Sequence, residues 1–106
     1  MLRSVGQPSV TERGEDPRIV GLGVAVAQLR RELAGYQAEF RDRAIAEDEL
    51  AALAAMVAGG APETARMRRS LLLIVGSIGS VSALRKPLMD VRNAVDLFGD
   101  TPRPPR

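Results

Sequence analysis

Apolar residues recur along this chain at intervals of three and four, in four stretches separated by glycine and proline, and that spacing constrains the fold more than any other feature. An α-helix turns once in about 3.6 residues, so such spacing lines the side chains along one face, whereas a half-buried strand needs alternation at every second residue. No stretch alternates in that way, and no segment repeats.

The first stretch opens at Asp16-Pro17. An aspartate oxygen can accept the unpaired amides of a first helical turn, and proline is tolerated there because its missing N–H would have no partner. Ile19, Leu22, Val26, Leu29 and Leu33 then fall on one stripe, predicting a helix over 17–34 that Gly35 stops. Ile45, Ala46, Leu50, Leu53, Met56 and Val57 predict a second helix over 42–58, with Asp42 as its cap and Gly59-Gly60 as its end. Pro62 opens a third, continuing to about Leu84, in which Met67, Leu71, Ile74, Val75, Ile78 and Val81 share a face. Leu72, Leu73 and Leu84 point elsewhere, so this helix is expected to bury more than one side and to be the central element. Pro87 disfavours helical geometry at Lys86, which predicts a break or kink there before a fourth helix over 87–98. Leu88, Val91, Val95 and Phe98 form its stripe, and Gly99 stops it.

The expected fold is therefore all-α: a small bundle of about four amphipathic helices, arranged as two packed helical hairpins. Residues 1–15 mix Ser, Gly, Pro and charges without periodicity and are read as a disordered leader. The helical domain is 16–99, and 100–106 is a disordered Pro/Arg tail. A chain of 106 residues suits one domain.

Charge and composition exclude more than they indicate. The isoelectric point near 9.9 follows from a net charge of only +2 in a chain with 14 Arg, one Lys, no His and no Cys, where almost nothing titrates near neutrality. Residues 1–63 hold 7 basic and 10 acidic groups while 64–106 hold 8 and 3, a polarity rather than a strong nucleic-acid footprint. Without cysteine there is no disulfide framework, and without His or Cys the common nucleophile dyads, zinc sites and haem ligation are out of reach. The N-terminus lacks the apolar stretch of a secretion signal, so the expected location is cytoplasmic. Leu71 to Leu84 is free of charge for 14 residues, short of the roughly 20 that a membrane span needs.

Individual motifs point to surfaces more than to chemistry. Gly21-Leu22-Gly23 has the look of a dinucleotide loop but sits inside an amphipathic helix, with no preceding strand. Glu47, Asp48 and Glu49 suit a solvated helix start, the alternative being a cation site completed by Glu39 and Asp42. Arg66-Met67-Arg68-Arg69-Ser70 reads as snorkelling arginines beside an apolar helix, or as a kinase or phosphate motif. Arg66, Arg68, Arg69, Arg85 and Lys86 form the candidate basic patch, on which peripheral membrane contact would rest. Pro102-Arg103-Pro104-Pro105 matches a minimal polyproline ligand. The segment Gly76, Ser77, Gly79, Ser80 is the candidate helix-contact surface. Two glycines inside a helix cost about 1 kcal/mol each, which a close crossing, within the monomer or between subunits, would offset. A glycine hinge or a helix end near 76–80, which would shorten the third helix, is the third reading.

The runs Ala46-Glu47-Asp48-Glu49-Leu50-Ala51-Ala52-Leu53, Arg68-Arg69-Ser70-Leu71-Leu72-Leu73, Gly79-Ser80-Val81-Ser82-Ala83-Leu84 and Val95-Asp96-Leu97-Phe98-Gly99 together resemble a family of short uncharacterised streptomycete proteins, over about residues 16–99. The resemblance implies a helical fold and an actinobacterial origin, and no activity or site residues.

The functional expectation is a non-enzymatic protein–protein interaction module that binds an unidentified protein partner or itself through an apolar groove. No catalytic residue, cofactor or metal is expected. A nucleic-acid-binding protein using the basic second half is an alternative that the small net charge and scarcity of aromatics disfavour. A peripheral membrane protein is the other.

Overall fold

The computed structural model describes residues 16–38 and 40–99, and these form four α-helices and one short 3₁₀ turn. The expected leader and tail, the Pro102–Pro105 motif and Glu39 lie outside the described residues.

Helix α1, Pro17–Gly35, begins as its sequence predicts: Asp16 is extended, and its Oδ1 accepts the Arg18 N–H at 2.8 Å. It ends differently. Gly35 remains helical, and the chain leaves through an extended Tyr36 whose N–H donates to the Leu33 carbonyl at 3.1 Å. The carbonyls freed at this end are taken by the Arg43 guanidinium, so no left-handed glycine is required. Helix α2, Arg43–Gly59, lacks the expected cap, because Asp42 (φ −95°, ψ 14°) is not extended and its side chain makes no capping bond. Its C-terminus does follow the expectation. Gly60 adopts φ +82°, a left-handed conformation open chiefly to glycine, and donates to Val57 O at 3.0 Å.

The second half corrects the sequence reading. Helix α3 is Thr64–Ile78, not a rod to Leu84; it gives way at Gly79 and Ser80 to a 3₁₀ turn, Ser82–Leu84, and helix α4 is Arg85–Gly99. The helix end near the glycines is thus the reading that holds. Pro87 interrupts nothing, because as the third residue of α4 it sits where amides have no partner within the helix. Pro87 and Leu88 are both buried, so the first turn of α4 packs on the core. Nor is α3 the central element. It buries one face, Met67, Ser70, Ile74 and Ile78, and leaves Leu72 72%, Leu73 42% and Val75 40% exposed.

Short connections make consecutive helices antiparallel neighbours, and the ring closes where α4 packs on α1. Ser70 of α3 reaches Glu49 of α2, and the Arg18 guanidinium at the start of α1 lies 4.9 Å from the centroid of Phe98 at the end of α4. Twelve large side chains, among them Leu22, Leu29, Leu50, Leu53, Ile74 and Val95, are fully enclosed. Each burial of this kind contributes about 1.5–3 kcal/mol of hydrophobic stabilisation. Among the described residues there is no strand, and the expected all-α bundle of two packed hairpins is what the chain forms.

Candidate interaction surfaces

The polar side chains drawn inside the bundle hold helices together. Ser70 is 4% exposed and its Oγ donates to Glu49 Oε1 at 2.8 Å, cross-linking α3 to α2. A hydroxyl so enclosed is closed to a kinase, which removes that reading of the Arg66–Ser70 motif. Arg43 organises the loop between α1 and α2. Its guanidinium donates to the carbonyls of Leu33 (2.5 Å) and Tyr36 (2.8 Å) and to Glu47 (3.2 Å), and it lies 5.7 Å from the centroid of the Phe40 ring. That ring meets Tyr36 edge-on, at 6.0 Å between centroids.

The acidic run on α2 is thereby dispersed. Glu47 turns to Arg43, Glu49 to Ser70, and Asp48 is exposed. Among the described residues no three carboxylates, histidines or cysteines come together as a metal site would require. At the start of α1, bonds from Arg18 to Asp16 hold that carboxyl below its ordinary value of 3.8 and raise the guanidinium, the side-chain hydrogen bond being the largest cause. Both groups face solvent, so this is local capping rather than a tuned reactive site.

The candidate glycine surface does not form a crossing within the monomer. Gly76 and Gly79 are exposed, and a Cβ built on Gly76 would meet nothing within 4 Å. Ser77 donates back to the Leu73 carbonyl at 2.7 Å, and Ser80 is exposed. A Cβ at Gly79 would run into the Val75 carbonyl, so this glycine serves the end of α3. The close helix approach is at Gly23 instead, where a Cβ would lie 3.2 Å from Val57 of α2. Gly21-Leu22-Gly23 is accordingly a packing feature of α1 rather than a nucleotide loop.

The basic patch divides in two. Arg68 places its guanidinium against Gly99, at the end of α4, whereas Arg85 and Lys86 begin that helix, so the clusters are separated by its length of 15 residues, about 22 Å. Lys86 pairs with Asp90 at 3.4 Å, whereas among the described residues Arg66, Arg68, Arg69 and Arg85 make no ion pair.

A surface that sequence reasoning did not identify lies between α1 and α4. Gly21, Ala25 and Ala94 floor a groove of about 590 Å³, Val24 and Leu97 wall it, and Gln28, Asp90 and Asn93 line one end. Val24 is 66% and Leu97 59% exposed, and Val20 beside them 45%. The signal was present in the spacing: Val20 and Val24, and Leu97 on α4, lie off the stripes that fill the core.

These features define a small antiparallel four-helix bundle whose notable surfaces are exposed apolar ones. Residues 11–99 match a family of unknown function, DUF5955, and the chain belongs to that family. No curated protein and no solved structure matches it. Among the described residues no helix is long and apolar enough to cross a membrane.

Proposed function

We propose that the protein is a non-enzymatic interaction module that pairs with a second copy of itself through the α1/α4 groove. The observation that carries this reading is the shape of that face, with small residues on its floor and large exposed aliphatic ones on its walls. Such a surface is self-complementary. A two-fold axis parallel to the bundle sets α1 against the partner's α4, seats Val24 and Leu97 over the opposing small residues, and superimposes the apolar ends of the two grooves. The groove itself runs along about 10 Å of each helix, residues 21–28 of α1 and 90–97 of α4, and Val20 extends its apolar end by a turn.

A cytoplasmic location fits a chain that lacks cysteine, and 14 Arg against one Lys fits a high-GC actinobacterial source. Light scattering after size exclusion tests the pairing. The expected mass is twice 11.4 kDa for the wild type, falling to 11.4 kDa for Val24→Asp and Leu97→Asp with helicity unchanged. A wild type that remains at 11.4 kDa at millimolar concentration would refute the proposal.

A further inference from the structure

On the opposite side of α4 from this groove, the outer face of α3 combines exposed aliphatic side chains with arginines at its ends. It carries the most exposed large aliphatic side chain of the bundle, Leu72, next to Leu73 and Val75, and Gly76 and Gly79 continue the same surface without side chains. Arginines bound this ridge at both ends: Arg66, Arg68 and Arg69 in the first turns of α3, and Arg85 at the start of α4. Residues 64–99 hold six basic groups against two acidic ones, Asp90, which Lys86 engages, and Asp96.

The shape decides what such a face can accept. An apolar peptide docks best in a groove between elements, and Leu72 at 72% exposure stands on the crest of a single helix. Nucleic acid would use the arginines but gains nothing from aliphatic side chains between them. A bilayer surface uses both, since aliphatic side chains sink to the level of the acyl boundary while arginines on either side reach lipid phosphates.

We infer that the outer face of α3 is a peripheral docking surface for an anionic lipid bilayer, with Leu72 and Val75 inserted and Arg66, Arg69 and Arg85 on the headgroup phosphates. The face is separate from the α1/α4 groove, and the two-fold axis proposed for the pair turns the two α3 faces in opposite directions, so a bilayer engages one ridge of a dimer at a time.

Cosedimentation of the full chain with vesicles tests this, comparing pure phosphatidylcholine with phosphatidylcholine containing about one-third phosphatidylglycerol. Binding is expected to the anionic vesicles alone and to weaken as salt is raised. Leu72→Asp, and separately the double variant Arg66→Gln with Arg69→Gln, should each weaken it about tenfold. Both sets of side chains are exposed, and an unchanged circular dichroism melt establishes that the variants fold; Leu72→Gln serves if Leu72→Asp does not. Val24→Asp monitors the other surface, and should retain vesicle binding after dimerisation is lost. The inference is overturned by absence of binding, by equal binding to neutral vesicles, by indifference to Leu72→Asp, or by preferential binding of duplex DNA that the arginine variants abolish and Leu72→Asp leaves intact.

Discussion

Replacing Arg43 with Met should destabilise the bundle by about 2 kcal/mol, although Arg43 is one of 14 arginines and has nothing in the sequence to distinguish it. Its side chain is 17% exposed and lies across the end of α1, where the Leu33 and Tyr36 carbonyls accept from it at 2.5 and 2.8 Å. Hydrogen bonds from a charged donor contribute about 1.5–3 kcal/mol when they cannot be replaced by water. Leu33 O retains its bond from the Tyr36 N–H, which limits the loss at that carbonyl. The exposed bond to Glu47, 51% accessible, adds little. For a domain of this size, 2 kcal/mol corresponds to about 10 °C in melting temperature. Arg43→Lys keeps the charge but cannot span both carbonyls, and should cost about half as much. Thermal and urea unfolding followed by far-UV circular dichroism measure these differences, with Arg41→Met, an exposed arginine two residues away, as the reference expected to change stability by less than about 0.5 kcal/mol. Equal and small effects of Arg43→Met and Arg41→Met would refute the view that a side chain, rather than Gly35, terminates α1.

The two glycines of α3 should respond in opposite directions. Gly76→Ala, in an exposed helical position with open space around it, should stabilise by about 0.5–1 kcal/mol, while Gly79→Ala should destabilise by about 1 kcal/mol or more because its Cβ meets the Val75 carbonyl; urea midpoints for the pair separate the two roles. The Asp16 cap predicts an acid-side effect. Its carboxyl is depressed in the folded state, so its contribution is complete above the ordinary value of 3.8 and is lost as pH falls below that through the folded value. Asp16→Asn should therefore narrow its stability gap to the wild type under acid, and a gap independent of pH would count against the cap.

The existence of four helices was legible because one stripe per helix, such as Leu22, Val26, Leu29 and Leu33, fills the core, and the period of those stripes is a local property. Boundaries were legible only where the terminating physics is also local. Asp16-Pro17 and Gly60 do their work with their own atoms. The end of α1 depends on a guanidinium ten residues from Leu33, and the Asp42 cap fails through a backbone conformation that the loop as a whole dictates.

The misplaced break in the second half has a single cause. Apolar residues continue past Ile78 through Val81 to Leu84, and both Val81 and Leu84 pack on the core, so periodicity alone extends the helix. A turn that keeps two apolar residues in contact with the core while reversing the chain leaves the same trace in sequence as two more turns of helix. Once α3 ends at Ile78, the cost assigned to Gly79 disappears, because that residue no longer lies in a helix interior, and with it half of the reason to expect a close crossing at 76–80. What remains of that argument is Gly76, exposed on the crest of α3 beside Leu72 and Val75. Its lack of a side chain brings no helix closer, but it leaves those two aliphatic groups standing clear of the surface, the arrangement on which the proposed bilayer contact depends.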